Sequence, residues 1–244
     1  MPQSGPSPTI PYLPAPNHYY KSTARIDLSL RTETIALPGA ELELHPYRAA
    51  YWPERETLLI ADVHLGKVQH FRREGIPLPQ DVSNTNWDKL IALLLDYRPR
   101  RVIFLGDLFH SDYNAEWEEF CDLMARFEAI SFELIKGNHD RLSTAAYQRA
   151  QLIVHPAELR IGDLLLSHHP REEHDSAYNL AGHIHPAVRL SGGGRQRIKL
   201  PCFFFGPHTG ILPAFGAFTG TQVLTPTERD RVYVLTDEAV LPTG

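Results

Sequence analysis

The feature that most constrains this chain is an arrangement, used three times, in which an apolar run ends abruptly in polar side chains. The segments TLLIADVH, RVIFLGDLFH and FELIKGNHD begin at Thr57, Arg101 and Phe132, and each breaks at Asp, Asn or His. Such a run is typical of a buried β-strand that delivers side chains to the edge of a sheet. We therefore expect three buried strands, each with a polar cluster at its end.

Apolar residues at helical spacing predict two helices between these strands. The first helix ends before Pro99, and its apolar face consists of Trp87, Leu90, Ile91, Leu94 and Leu95. The second helix begins at Asn114 as its N-cap, and its apolar face consists of Trp117, Phe120, Cys121, Met124 and Phe127. We interpret both faces as core packing.

The second half of the chain is mostly strand and turn. The segments DLLLSHH, YNLAGHIH and RVYVL predict strands, and AVRL and RIKLPCFFF predict a hairpin around the SGGG turn. Alternating β and α segments followed by β segments predict an α/β (α+β) fold. In such a fold two sheets pack together, with helices on the outside.

The length of 244 residues suits a single large domain. Residues 1–24 are rich in Pro and Ser, so we predict a flexible tail there and one domain over residues 25–244. No apolar stretch matches a membrane helix or a signal peptide, so we expect a cytoplasmic protein without membrane contact.

Cys121 and Cys202 lack the spacing of metal ligands and are expected to be buried packing residues.

Polar clusters that contain acidic, amide or imidazole side chains stand at five predicted strand ends, and they include most of the 13 histidines. The clusters are Asp62 with His64, Asp107 with His110, Asn138 with His139 and Asp140, His168 with His169, and His183 with His185. Oxygen donors combined with neutral imidazoles suit manganese, iron or zinc better than calcium. One such motif is weak, but five in order predict a metal site.

The spacing within two of these clusters favours shared ligation. Residues separated by one, as in Asp62-x-His64 and His183-x-His185, project to the same side of an extended chain. A glycine precedes each of Asp107, Asn138 and His183, and we expect the backbone to turn sharply there.

The ordered motifs D-x-H, GD-x-x-H, GNHD, a histidine doublet and GH-x-H, over residues 62–185, resemble those of calcineurin-like metallophosphoesterases. The resemblance implies a two-sheet sandwich flanked by helices and two divalent ions, manganese first, with iron, zinc or magnesium as alternatives. These ions would activate a water for in-line attack on phosphorus. The implied roles are first-ion ligands Asp62, His64 and His185; second-ion ligands Asn138, His168 and His183; a bridging Asp107; and a catalytic His139, with His110 expected as a second catalytic residue.

Two positions depart from the broad family pattern. Many family phosphatases carry an aspartate three residues after the bridge, where this chain has His110; GDLFH instead resembles nucleases of double-strand-break repair, which favours diester substrates. His169 replaces a glycine, so either His168 or His169 could be the ligand, and we expect His168. Asp140 could hold an imidazole in its tautomer or cap the following helix, and the sequence leaves both open.

A closer resemblance, from about Gly39 onward, is to the ligase-associated DNA damage response metallophosphoesterases of the PdeM type. It rests on segments such as YNLAGHIHPAVRL, LPCFFF and LPAFGAFTG, the last of which we interpret as a core strand. The resemblance implies a bacterial phosphodiesterase or endonuclease that acts on DNA. The implied partners are an ATP-dependent DNA ligase, a helicase and a nuclease-like (exonuclease) protein.

The net charge of −5 offers no general argument for nucleic-acid binding, so any such contact must be local. Two basic sets lie close in sequence to the motifs: Lys67, His70, Arg72 and Arg73, and then Arg189, Arg195, Arg197 and Lys199. We expect Lys67, Arg72, Arg73, Arg195 and Arg197 to contact substrate phosphates. The alternative is a solvated loop and a charged hairpin.

Three functions therefore compete. The first is a phosphodiesterase or endonuclease in DNA repair, and the second is a hydrolase of a small nucleotide or a UDP-sugar-lipid pyrophosphate. The third is a scaffold without activity, which the presence of every ligand type and of His139 disfavours. No apolar insertion for acyl chains is visible between Asn138 and His168, which disfavours a lipid substrate.

Overall fold

A computed structural model describes residues 30–66, 81–110, 115–171, 176–192, 196–217 and 219–243. Within these ranges the protein contains two β-sheets, which pack face to face, and three α-helices. The predicted two-sheet α/β fold is therefore confirmed. The predicted tail over residues 1–24 lies outside the described residues.

The first sheet has seven strands in the order in which they occur along the chain. They are β1 (Glu33–Leu37), β2 (Ala40–His45), β3 (Ala49–Trp52), β4 (Thr57–Ile60), β5 (Arg101–Phe104), β6 (Ser131–Ile135) and β7 (Ile153–His155). Strands β1 to β4 pair antiparallel, and strands β4 to β7 pair parallel. The predicted strands β4, β5 and β6 are therefore parallel neighbours, and their carboxyl ends meet at one edge.

The second sheet has nine strands and follows the order β14-β11-β12-β13-β10-β9-β8, with β15 pairing β12 and β16. They are β8 (Glu158–Ile161), β9 (Leu164–Ser167), β10 (Tyr178–Ala181), β11 (Pro186–Ser191), β12 (Arg197–Phe205), β13 (Thr209–Ile211), β14 (Gln222–Val223), β15 (Arg231–Leu235) and β16 (Val240–Pro242). Strands β9 and β10 are parallel, whereas β11 and β12 form the predicted antiparallel hairpin. The sheet thus combines a parallel pair with an antiparallel arm.

Two apolar layers hold the sheets and helices together. The inner layer lies between the sheets and contains Leu59 and Ile103 from the first sheet, with Leu166 and Phe203 from the second. Leu58, Ile60, Val102 and Phe104 point to the opposite face, where they pack against helix residues. Strands β4 and β5 are therefore buried on both faces, as parallel strands in α/β proteins are.

The helices are α1 (Asp81–Tyr97), α2 (Ala115–Met124) and α3 (Thr144–Arg149). On α1, Trp87, Leu90 and Leu94 are buried as predicted, but Leu95 is 38% exposed and Leu93 is buried in its place. On α2, Trp117, Phe120, Cys121 and Met124 all join the same apolar layer, and Phe127 packs against it. The expected cap Asn114 lies outside the described residues, whereas both cysteines are buried as predicted.

His45, the last residue of β2, is a buried imidazole away from the polar strand ends. Its Nδ1 accepts a hydrogen bond from the Tyr47 amide at 3.0 Å, and its ring packs against Tyr47 and Tyr97. Burial lowers the pKa of His45 from 6.5 to about 4. The folded protein therefore disfavours the protonated imidazole.

We expect His45 to reduce stability in acid. Because its pKa is lower in the folded state, the unfolded chain takes up a proton first as the pH falls from 6.5 to about 4. The free energy of unfolding should fall by about 3 kcal/mol over this range from this group alone. Urea unfolding at several pH values would measure it, with His45→Asn as a control that keeps an acceptor but does not titrate. Equal pH dependence of the two proteins would contradict the prediction.

Candidate metal centre

The polar clusters predicted from the sequence follow five strands and meet at one end of the sandwich. Asp62 follows β4, Asp107 follows β5 and Asn138 follows β6 in the first sheet. His168 and His183 follow β9 and β10 in the second sheet. Both sheets therefore deliver side chains to the same place.

The first group of donors consists of Asp62, His64 and His185, whose ligand atoms lie within 4.8 Å of one another. The Nε2 atom of His185 lies 3.3 Å from Oδ1 of Asp62. His185 donates its Nδ1 proton to the carbonyl of Gly220 at 3.0 Å, so a neutral imidazole presents a lone pair at Nε2. A metal-ligating histidine is commonly oriented in this way.

Two of these buried atoms test whether a cation fits. Oδ1 of Asp62 and Nε2 of His185 have no hydrogen-bond partner among the described residues, although they face each other. Two lone pairs at this distance repel unless a proton or a cation lies between them. The first group therefore fits a metal ion.

The second group consists of Asn138, His168 and His183. Nε2 of His168 lies 3.0 Å from Oδ1 of Asn138 and 3.2 Å from Nδ1 of His183. His168 donates its Nδ1 proton to the carbonyl of Leu105 at 2.9 Å, which again leaves Nε2 to face the group. Converging oxygen and imidazole donors are the chemistry that divalent transition ions prefer.

Asp107 lies between the two groups. Its Oδ1 is 3.5 Å from Nε2 of His168, and its Oδ2 is 3.8 Å from Nε2 of His64. The backbone amide of His183 also donates to Oδ2 of Asp62 at 2.9 Å, which ties the groups together. One carboxylate thus faces both groups, which is the position that a bridging ligand requires.

His139 and His110 form a pair beside Asp107. The His139 amide donates to Oδ1 of Asp107 at 2.9 Å, and its side chain is 38% exposed. The ring of His110 packs against that of His139, with centroids 4.1 Å apart and planes tilted by 33°. His139 is therefore held at the edge of the site with its imidazole open to an incoming molecule.

His168 and His169 differ in burial. His168 is 1% exposed and belongs both to a group with Asp62 and Asp107 and to a group with His169 and His183. His169 is exposed, and its ring lies 4.1 Å from that of His183. The geometry therefore favours His168 as the residue between the two carboxylates, with His169 at the outer rim.

Asp140 has a different role from either one expected. Its Oδ1 accepts from the amides of Leu108 and Phe109 at 2.9 and 3.2 Å, and its Oδ2 accepts from the Gly137 amide at 2.9 Å. The cap of α3 is Ser143, so the helix-cap interpretation is wrong, and the acceptors of Asp140 contact backbone amides and not an imidazole. Asp140 joins the loop after β5 to the loop after β6.

The backbone of the site is strained. Five of the site residues are non-glycine residues with positive φ: Asp62 at 53°, His64 at 50°, Asp107 at 50°, His183 at 68° and His185 at 51°. Each such residue costs about 1 kcal/mol or more. Strain of this kind persists where surrounding structure enforces it, and it is concentrated at functional sites.

The glycines before three of the site residues serve two purposes. The chain bends directly after Gly137 and Gly182, as expected, but of the three glycines only Gly106 has positive φ, at 81°. A Cβ atom at Gly137 would overlap the Asp107 carboxylate, and one at Gly182 would overlap that of Asp62. These two glycines leave room for the carboxylates.

Between Leu212 and Ala217 the segment LPAFGAFTG forms one isolated bridge, at Ala214, and otherwise runs as a loop, so the interpretation as a core strand is wrong. Strand β13 ends at Ile211, and beyond it the amides of Phe215 and Gly216 donate to the carbonyls of Ala61 and Asp62 at 2.8 and 3.1 Å. The Gly220 carbonyl near the end of this loop is the acceptor for His185. The loop therefore positions Asp62 and His185, and the sequence did not predict this role for it.

Comparison with protein-family models matches residues 56–196 to the calcineurin-like phosphoesterase family. The chain belongs to the calcineurin-like phosphoesterase family. The match spans the four motifs from Asp62 to His169 and the fifth at His183 and His185. The chain is accordingly a metal-dependent phosphoesterase, as predicted.

Two solved structures of phosphoesterase type resemble this family member. Nuclease MPE from Pseudomonas putida is 30% identical, with a TM-score of 0.73 over 87% of this chain and 100% of that chain. YfcE, a phosphoesterase from E. coli, is 12% identical, with a TM-score of 0.38 over 75% of this chain and 95% of that chain. Comparison with curated proteins finds no match.

Charges in this phosphoesterase site depend on one another. Burial tends to raise the pKa of Asp107, but hydrogen bonding and charge from His168, with the His139 amide, hold it well below its usual range. Burial tends to lower the pKa of His168, but the Asp107 and Asp62 carboxylates raise it. The two carboxylates thus favour a positive charge at His168, the place where the second ion would bind. Metal and proton therefore compete for the site, and metal affinity should fall in acid.

The basic residues expected to contact substrate are only partly described. Lys67, Arg72, Arg73 and Arg195 lie outside the described residues, as does His70. Arg197 is exposed on β12, directly opposite Ser191 of β11.

Among the described helices, none is long and apolar enough to cross a membrane.

Proposed function

We propose that this chain is a two-metal phosphodiesterase that cleaves DNA, acting in the cytoplasm of a bacterium in DNA repair. The observation that carries the proposal is the position of Asp107, whose two oxygens face separate donor groups 3.5 and 3.8 Å away. A single carboxylate placed in this way suits a pair of divalent ions. The similarity to a nuclease over 87% of the chain supports a diester substrate.

Seven residues would bind the two ions, and His139 would act on the leaving group. Asp62, His64 and His185 would hold one ion, Asn138, His168 and His183 the other, and Asp107 both. Divalent ions, with manganese as our first choice, supply activation of water and neutralisation of phosphate charge when bound. The exposed His139 imidazole would then donate a hydrogen bond or a proton to the leaving oxygen.

His110 supports His139 in this proposal. Family phosphatases that carry an aspartate at this position would place a negative charge beside the catalytic imidazole. The His110 ring instead contacts the His139 ring at 4.1 Å and adds no negative charge to the place where a diester must approach. The preference for a diester is inferred from the resemblance of GDLFH to nucleases of double-strand-break repair, and His110 would act by packing against the His139 imidazole.

A substrate panel tests the proposal. Purified protein stripped with EDTA should regain activity with Mn²⁺ on bis-p-nitrophenyl phosphate and on single- or double-stranded DNA. It should act poorly on p-nitrophenyl phosphate and on a UDP-sugar lipid. Cleavage of the lipid alone would refute the DNA proposal, and activity of the Asp107→Ala, His139→Ala double variant would refute the assigned site.

The proposed context includes partners. We infer an association with an ATP-dependent DNA ligase, a helicase and an exonuclease from the resemblance of the sequence motifs. Co-purification with each candidate from the native host, with and without nuclease treatment, would test whether the association is direct or passes through DNA.

A further inference from the structure

A cavity of about 310 Å³ lies apart from the candidate metal centre. Its lining combines three regions: the turn between β2 and β3, helix α1, and the part of the second sheet where β12 passes the turn between β15 and β16. Its volume is at the lower end of the range for small-molecule sites. The lining residues that matter for binding are Arg48, Lys89, Leu200, Pro201 and Asp237.

Two of these lining residues, Arg48 and Lys89, are cations that have no carboxylate within 4.0 Å in the described part of the chain, although Asp237 lies near enough to act on both charges. The Arg and Lys ion pairs found there are Arg100–Glu56, Arg101–Glu133, Arg149–Glu118 and Arg171–Glu158. Arg48 donates one Nη1 hydrogen bond to the Ala214 carbonyl at 3.1 Å, and Lys89 lies over the Tyr47 ring with its Nζ 5.5 Å from the centroid. Most of their donors therefore remain available to a ligand.

The cations also disfavour each other. Burial lowers the pKa of Lys89, and the positive charge of Arg48 lowers it further, while Asp237 opposes the shift. Burial likewise lowers the pKa of Arg48, and Asp237 opposes this shift as well. Asp237 is the one carboxylate in the lining of this cavity, and it is exposed, so its charge is screened by solvent. The attraction of an anion bound between Arg48 and Lys89 would offset the cost of burying the two cations and the repulsion between them.

The cavity is connected to the phosphoesterase site through the chain. Ala214, which accepts from Arg48, forms a bridge with Ala61, the residue before Asp62. On the other side, Pro201 pairs with Ala187 of β11, the strand that begins directly after His185. A phosphate-bearing molecule in this cavity would therefore sit behind the loops that present Asp62 and His185.

Basic side chains continue along β12 from this cavity. Lys199 and Arg197 occupy alternate positions before Pro201 and so share one face of the strand. Lys199 lies directly opposite Arg189 of β11, an arrangement of like charges that destabilises a hairpin. The described residues supply no carboxylate partner for these three cations, whose exposed positions suit a run of phosphates.

We propose that the cavity is a phosphate-binding site, in which the Arg48 guanidinium and the Lys89 ammonium bind one phosphate group. The phosphate would belong either to a nucleic-acid strand that extends from the active site along β12 or to a free phosphate or nucleotide. The binding site itself does not depend on the reaction proposed above.

Titration calorimetry of the full-length, Mg²⁺-loaded chain with sodium phosphate tests the site. Lys89→Gln should weaken the cavity event about tenfold, since a charge-assisted hydrogen bond is lost. Asp237→Asn should strengthen it about threefold, because a repulsive charge is removed. Arg126→Gln removes an exposed positive charge that does not line the cavity and should leave phosphate affinity unchanged. Thermal unfolding checks that each variant is folded.

Equal phosphate affinity of Lys89→Gln and Arg126→Gln would overturn the proposal, as would an unchanged affinity in Asp237→Asn. Asp107→Asn distinguishes phosphate binding in the cavity from phosphate binding at the metal centre. This variant should bind phosphate in the cavity with unchanged affinity, whether or not Asp107 is a metal ligand.

Steady-state kinetics then identifies the source of the phosphate. If it belongs to a strand, Lys89→Gln should raise KM for an oligonucleotide about tenfold without changing KM for bis-p-nitrophenyl phosphate. If it is a free anion, both KM values should stay unchanged while phosphate affinity falls. Either pattern supports the site, and a fall in kcat on both substrates with unchanged phosphate binding would refute it.

Discussion

Asp107→Asn should lower kcat/KM for a phosphodiester on the order of 10³-fold or more, which corresponds to about 4 kcal/mol of lost transition-state stabilisation. The change keeps the size of the side chain and leaves an oxygen to accept the His139 amide, now 2.9 Å from Oδ1. It removes the negative charge that faces His168 on one side and His64 on the other. Because a ligand shared by both ions is lost, the variant should bind less metal and should also lose activity.

Kinetics with Mn²⁺ and metal analysis by mass spectrometry would measure both effects. Asp122→Asn provides the control, because Asp122 is exposed on α2 and its loss changes net charge equally. A protein with Asn at position 107 that kept a tenth of the activity and its full metal content would contradict the assigned bridge.

The donor side chains of the site could be found from sequence because each motif is local. A buried parallel strand needs an apolar run, and residues just beyond it must lie at the carboxyl edge of the sheet. Asp62, Asp107 and Asn138 satisfy this rule on neighbouring strands, and His168 and His183 satisfy it on the second sheet. The order of the strands then brings the five loops together, which no single motif encodes.

The groups that orient those donors could not be found in this way. The Leu105 and Gly220 carbonyls accept from His168 and His185, but a backbone carbonyl has no residue type to mark it. Gly220 is 35 residues from His185 in sequence and reaches it only through the loop after β13. The sequence also predicted that Leu95 on α1 is buried, whereas Leu93 is buried instead. The rotation of a helix about its axis is set by packing against the sheet, which the spacing of apolar residues does not fix.

The strained backbone explains why several supports are required. Five site residues hold positive φ, which together oppose the folded conformation of the loops. Hydrogen bonds from the Phe215 and Gly216 amides hold the Asp62 loop, and the Asp140 carboxylate holds the Asp107 and Asn138 loops. The site therefore depends on a few buried hydrogen bonds that hold its loops in place.

Asp140→Ala should produce the largest loss of stability among single changes near the site. It leaves the amides of Leu108, Phe109 and Gly137 without their acceptor in a region where Asp140 is 2% exposed. Each buried amide left unsatisfied costs about 1–3 kcal/mol, so the free energy of unfolding should fall by about 4 kcal/mol or more. Activity should fall with it, because the loops that carry Asp107 and Asn138 separate.

Asp140→Asn distinguishes this account from a simple loss of packing. Its oxygen can still accept from Leu108 and Phe109, but its amide group would face the Gly137 amide, so we expect a smaller loss of about 2 kcal/mol. Burial raises the pKa of Asp140 to about 6, so urea unfolding in EDTA should be measured at pH 7.5, where the carboxylate is ionised. If Asp140→Ala and Asp140→Asn were equally stable, the three amide contacts would not be what holds the two loops together.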